Sequence, residues 1–224
     1  RELAMTPTRQ DLDLAAILAA RTGPVRITVG YLKGGTGKST TAVMLALALH
    51  RATGEPVLLV DADRVNVTTT EWAQLADDWP EGVTVERWPD VDLAEKIAAS
   101  GHTGHVVIDT GPSNPDILMA ALTTTDYLVV PITATGAEAT PLQPTLSAAA
   151  TIGRIKPIEL NFVFTRTKPN TRSLREAKEA LSEKFKVLDT DVPFVLLYMQ
   201  AFGTVPDDLG AYPQVLAEIL GEEA

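Results

Sequence analysis

Short apolar, often β-branched runs alternate along the whole chain with longer stretches whose apolar positions recur at helical spacing. The pattern predicts strands at Val25–Tyr31, Val57–Val60, Val83–Arg87, Val106–Ile108, Tyr127–Val130, Leu160–Phe164 and Lys186–Leu188. Helices are expected between them, at Gly37–Arg51, Thr69–Asp77, Val91–Ala99, Asp116–Thr123, Thr140–Gly153, Ser173–Phe185 and Tyr212–Leu220. Runs such as VLLV and VVI are apolar without alternation, as in strands covered by helices on both faces. The fold class that follows is α/β, a doubly wound, mostly parallel sheet flanked by helices. Ligands of such sheets bind beyond the carboxyl ends of the strands, so the turns after Tyr31, Val60 and Ile108 are where chemistry is expected.

At 224 residues, with 45% hydrophobic and 21% charged positions, the chain is one large globular unit. A unit of this size can bury roughly 70% of its surface. Neither a low-complexity linker nor a repeat interrupts residues 25–224, which read as a single domain, while residues 1–24 read as a helical N-terminal extension. The absence of cysteine excludes a disulfide framework, thiolate-bound zinc, iron–sulfur clusters and a cysteine nucleophile. No apolar run approaches membrane-spanning length, and the opening residues place acids beside arginines, unlike a signal peptide. A soluble, cytoplasmic protein is expected. Its net charge of -10 disfavours contact with nucleic acid or anionic lipid except through a local basic face.

The first strand leads through Lys33-Gly34-Gly35-Thr36-Gly37-Lys38-Ser39-Thr40-Thr41 into an Ala/Leu-rich helix. Glycines let successive backbone N–H groups turn toward one anion, and the helix N-terminus adds partial positive charge. Lys38 can reach β- and γ-phosphates, and the Ser39 hydroxyl can ligate Mg²⁺, which makes a nucleoside triphosphate the natural guest. The strict P-loop pattern has glycine where this chain has Leu32. Lys33 is a second cation at the start of the loop, placed to serve its own nucleotide or a partner's.

Asp61 and Asp63 follow the second strand at period-two spacing, which puts both carboxylates on one side of its exit. A carboxylate there can bind Mg²⁺ through water or orient the water that attacks the γ-phosphate. The fourth strand runs into Asp109-Thr110-Gly111-Pro112, an apolar run ending in an acid, the form of a metal-holding carboxylate. His50, His102 and His105 lack metal-ligand spacing, and Trp72, Trp79 and Trp88 read as packing anchors. From Arg154 to Lys186 nine basic residues face four acidic ones, a local balance of +5. Arg172, Arg175 and Lys178 share one helix face in that segment.

KGGTGKSTT, VDAD, VVIDTGP and YLVVPI, with a late TR and VP, together resemble the ParA/MinD family of deviant Walker ATPases over about Val25–Leu220. The chain looks most like the small ParA partition ATPases without an N-terminal DNA-binding domain. The resemblance implies that Lys33 reaches across an ATP-dependent homodimer to the partner's phosphates, that Lys38 and the loop from Gly34 to Thr40 bind ATP, and that Ser39 ligates Mg²⁺. It further implies that Asp63 orients the hydrolytic water, Asp61 supports the switch and Asp109 holds Mg²⁺ through water. Slow hydrolysis, sequence-independent DNA binding through Arg172, Arg175 and Lys178, association with the nucleoid, and stimulation by a centromere-binding adaptor complete the expectation.

Two departures stand out. Arg64-Val65 replaces the family's Pro-Gln after the second acid, and Gly111 stands where the family commonly has proline. A membrane-bound relative would carry a basic amphipathic C-terminal helix, whereas this chain ends LAEILGEEA. Two alternatives to DNA partition stay open: an ATPase that positions a protein cargo, and a phosphate-loop ligase of the dethiobiotin synthetase type.

Overall fold

The computed structural model describes residues 9–135 and 139–221. Its strands are β1 (Arg26–Val29), β2 (Val57–Ala62), β3 (Val83–Arg87), β4 (His105–Thr110), β5 (Tyr127–Ile132), β6 (Glu159–Thr167), β7 (Lys186–Val187) and β8 (Val192–Pro193). Its helices are α1 (Arg9–Ala19), α2 (Lys38–Thr53), α3 (Thr68–Leu75), α4 (Leu93–Ala99), α5 (Pro115–Leu122), α6 (Ala139–Gly153), α7 (Arg172–Ser182), α8 (Leu196–Met199) and α9 (Tyr212–Leu220). The sheet order is β3-β2-β4-β1-β5-β6-β7, with β8 beside the far end of β6, and every pairing is parallel. This is the doubly wound sheet that the apolar runs predict.

Period-two side-chain direction divides each central strand between two buried faces. Ile27, Val29, Val107 and Val129 join Leu14 and Leu18 of α1, the buried side of α2 and most of α9 in one core. On the opposite face Leu128, Val130, Phe162 and Phe164 pack with α5, α6 and α7, while Val106 and Ile108 pack with α4 and α5. β1 therefore lies at the centre, between β4 and β5, and its exit opens where the chain first crosses over to β2.

Two boundaries and two short elements differ from the pattern reading in ways that matter. β2 continues two residues past Val60, because Asp61 and Ala62 pair with Asp109 and Thr110 of β4. β6 continues to Thr167, because its end pairs with β8 across a bulge at Arg166, which adopts φ 53°. Strand β8 and the single turn α8 are absent from the reading, since elements of two and four residues carry too few positions for a period to show. Residues 1–8 of the expected N-terminal extension and the acidic end from Glu222 onward lie outside the described residues. Among the described residues no helix is long and apolar enough to cross a membrane.

Candidate functional site

The loop after β1 is shaped by glycine. Gly35 and Gly37 take φ of 77° and 85°, the left-handed region that other residues enter at a cost, and Gly37 caps α2 without any side-chain hydrogen bond. The first N–H groups of α2 are therefore left to a ligand, at the end where the helix dipole favours negative charge. Neighbouring elements hold the loop from outside. Thr165 at the end of β6 donates to the Thr36 carbonyl at 2.8 Å, Thr145 of α6 accepts from the Leu32 N–H at 3.3 Å, and Arg166 Nη1 donates to the Gly35 carbonyl at 2.9 Å.

A cavity of about 350 Å³ opens over this loop, lined by Gly34, Gly35, Gly37, Lys38, Ser39 and Thr40 on one side. Asp63, Asn66 and Pro112 close a second side, and Arg166, Phe194, Tyr198 and Tyr212 a third. Lys38 is only 7% exposed, and its ammonium donates to the Lys33 carbonyl at 2.9 Å. Burial holds its pKa below the ordinary lysine value, against the pull of Asp109 and Asp63. An anion entering the cavity would meet a cation already stripped of most water and able to exchange a neutral acceptor for a charged one. Lys33 contributes its carbonyl to this arrangement, and its side chain is not part of the cavity lining.

The three acids sit differently. Asp61 is fully buried with both oxygens engaged: Oδ1 accepts from the Asp63 N–H at 3.2 Å, and Oδ2 accepts from the Thr70 N–H and hydroxyl at 3.0 and 2.8 Å. It ties the start of α3 to β2 and is not among the residues that line the cavity. Asp63 lines the cavity and accepts from the N–H groups of Val65 and Asn66. Asp109 is 1% exposed; Oδ2 accepts from the Thr69 hydroxyl at 2.7 Å, and Oδ1 has no partner. Burial raises its carboxyl to about 7, a rise that the Thr69 hydrogen bond and the nearby Ser39 hydroxyl oppose. A buried carboxylate oxygen without a partner beside a serine hydroxyl is a donor set that suits Mg²⁺, which prefers one or two protein oxygens and completes its shell with phosphate and water. Ser39 and Asp109 are the residues that would hold it.

Several contributors escape a reading of the sequence. Thr69 and Thr70 are nominated by nothing but their place at a helix start. Arg166 obeys the same rule that singles out the other strand exits, yet in sequence it counts only as surface charge. Phe194, Tyr198 and Tyr212 come from short elements without a legible period or from a helix start that points at nothing in sequence. At the departure after Asp63, Arg64 Nε donates to the Pro89 carbonyl at 3.1 Å, and Val65 is 79% exposed.

On the expected basic face of α7, two of the three cations pair with acids. Arg172 Nε donates to Glu176 at 2.6 Å while its side chain stays 83% exposed, Lys178 pairs with Asp191 at 2.8 Å, and Arg175 is exposed. Elsewhere in that segment Lys156 pairs with Asp126 and Lys186 with Glu159. Two of these partners, Asp126 and Asp191, lie outside the segment over which the sequence balance is +5.

Comparison with known proteins places this geometry in context. The profile of the CobQ/CobB/MinD/ParA nucleotide binding domain matches residues 27–201. The Maintenance of carboxysome distribution protein A of Gloeobacter kilaueensis is 34% identical over 149 residues, a match that spans 66% of this chain and 65% of that relative's length. Among solved structures, an ATP complex of a variant McdA from Cyanothece superposes with a TM-score of 0.68 at 19% identity, covering 91% of this chain and 99% of that one. A cobyrinic acid a,c-diamide synthase from Mycobacterium smegmatis with bound ADP and magnesium gives 0.64 at 18%, covering 86% and 92%. A plasmid partition protein from Borrelia burgdorferi gives 0.58 at 20%, covering 89% and 97%. The chain belongs to the CobQ/CobB/MinD/ParA nucleotide-binding domain family.

Proposed function

We propose that the chain is a ParA-like ATPase that binds ATP with Mg²⁺, dimerises on it and uses slow hydrolysis to distribute a cargo. The observation that supports this best is the convergence on one cavity of the uncapped start of α2, the buried Lys38 and Asp63, with the unpartnered Asp109 oxygen beneath the loop. The family and its nucleotide-bound structural neighbours agree with it.

In this reading the loop amides and Lys38 bind the triphosphate, and Ser39 and Asp109 hold the cation. Mg²⁺ supplies charge neutralisation between the phosphates when bound. Asp63 accepts a hydrogen bond from the attacking water and orients it, and Asp61 holds α3 so that the Asp63 turn stays beside the cavity. Lys33, outside the cavity lining of its own protomer, reaches the phosphates of a second copy. The test is direct. Lys38→Ala abolishes or severely weakens ATP·Mg²⁺ binding by calorimetry, and unchanged affinity overturns the assignment. Lys33→Ala keeps nucleotide binding and loses the ATP-dependent dimer by sedimentation; an intact dimer with normal turnover removes the trans role.

For the cargo, we take DNA partition as the first reading, with a centromere-binding adaptor and a nucleoid-associated ATP state in the cytoplasm. A protein cargo is the second, favoured by the carboxysome-distribution relative and by the ion pairs that Arg172 and Lys178 make on α7. DNA retention by the ATP-analogue-bound protein separates them. The ligase alternative requires a small acid substrate for ADP release, so steady turnover with ATP·Mg²⁺ alone excludes it.

A further inference from the structure

β2 and β4 run in register, with Asp61 opposite Asp109 and Ala62 opposite Thr110. One step beyond, Asp63 and Gly111 meet where both chains leave the sheet. A Cβ on Gly111 would lie 2.5 Å from Asp63 Oδ1, 2.6 Å from its Cγ and 3.0 Å from its Cα, so the carboxylate occupies the very space that a side chain at 111 would need.

That carboxylate is firmly seated. Oδ1 accepts from the Val65 N–H at 2.9 Å and the Asn66 N–H at 3.1 Å, and Oδ2 accepts only from the Asn66 side-chain amide, at 3.1 Å. Two backbone donors fix one oxygen, and a rotatable side chain covers the other. Oδ2 is thus the oxygen that retains acceptor capacity, and Asp63, Asn66 and Pro112 together form one wall of the cavity.

We propose that Gly111 is a positioning residue for Asp63: the missing side chain at 111 lets the carboxylate lie across the exit of β4, in the cavity wall, where it can accept a hydrogen bond from the attacking water. This rests on the ATPase reading above. In this chain a Cβ at 111 forces a shift, and the atoms it meets first are the Asp63 Oδ1 and Cγ that the two amide donors hold. A displacement of about 1 Å at a group that orients a reactant costs on the order of a hundredfold in rate, while phosphate contacts made elsewhere are unaffected.

A purely structural role for the Asp63 turn would not predict turnover lost at unchanged nucleotide affinity and only where Asp63 is present, so the test is a double-mutant cycle on the full chain. ATP turnover and nucleotide affinity are measured for wild type, Gly111→Ala, Asp63→Ala and the double variant. Gly111→Ala is expected to lower kcat by about 10- to 100-fold with affinity for ATP·Mg²⁺ within about threefold. In the Asp63→Ala background the same change is expected to alter residual turnover by less than about twofold, because the group it displaces is gone. Thermal unfolding of the nucleotide-free proteins gives a readout free of activity. Gly111→Ala lowers Tm more in the wild-type background than beside Asp63→Ala, where only crowding against the backbone at position 63 remains. Wild-type kcat in a folded Gly111→Ala protein, equal fold-losses in both backgrounds, or equal Tm losses in both would overturn the proposal. If neither Gly111 variant folds, the obstruction is the Asp63 backbone rather than its carboxylate, and the proposal fails. A wild-type protein that binds ATP but never hydrolyses it defeats the ATPase reading instead, and the unfolding cycle still decides whether Gly111 places the carboxylate.

Discussion

Asp109 carries a buried oxygen without a partner, and Thr69 is a side-chain donor that holds the other. Keeping a carboxyl at about 7 in such a place is unfavourable for the nucleotide-free fold, which is how sites for charged ligands commonly stand. Asp109→Asn removes the charge and keeps the shape. It is expected to raise the Tm of the nucleotide-free protein by a few degrees, because the neutral amide has no charge to desolvate. The same variant should lose most of the Mg²⁺-dependence of nucleotide binding; a lower Tm with Mg²⁺-dependence intact would count against the assignment. His105 gives the pH prediction. Its Nδ1 accepts from the Val25 N–H at 2.9 Å, and burial holds its pKa below the ordinary 6.5, against Glu55, which raises it. The folded state therefore binds fewer protons than the unfolded chain below pH 6.5, so stability is intact above that pH and declines as pH falls toward the folded value. His105→Asn, which keeps an acceptor near the same place, should flatten the slope of Tm against pH between about 5 and 6.5, and an unchanged slope would assign it to other groups.

At the level of elements, what the sequence showed were features with a period or a local rule. The first seven strands, the glycine loop and the three acids at strand exits were legible because each depends on neighbours in the chain. The bulge at Arg166, the pairing of β8 with β6 and the seating of Thr69 and Thr70 on two acids were not, because each depends on a partner on another element of the fold. The α7 face shows the same limit from the other side, since Lys178 meets Asp191 only after the chain has turned through β7. Arg166 tests whether such a tertiary feature matters. It is exposed, so little stability rests on it, yet it bonds the Gly35 carbonyl and stands 5.6 Å over the Phe194 ring. Arg166→Ala should therefore weaken nucleotide binding several-fold, about 1 kcal/mol, while Tm stays within about 2 °C. Calorimetry beside a melting curve separates the two, and equal affinity would make the contact incidental to the ligand.

On the scale of the whole molecule, charge decides the cargo. A body of net charge -10 approaches DNA against repulsion, and four of the nine basic residues from Arg154 to Lys186 pair with acids. If an ATP-held pair presents both α7 faces to one duplex, two weak contacts gain by effective concentration what each lacks alone. Loss of DNA binding in Arg172→Ala/Arg175→Ala/Lys178→Ala would not by itself locate the contact, because removing three cations also makes the body more negative. A charge-matched control, Arg64→Ala/Arg87→Ala/Lys96→Ala, carries the same change on the opposite half of the sheet. With a non-hydrolysable ATP analogue, contact at α7 is expected to lower the slope of log affinity against log salt by about one for each phosphate released, in the α7 variant only. A parallel weakening in both variants with unchanged slopes would assign the effect to bulk charge, and full binding by the α7 variant would move the cargo from DNA to protein.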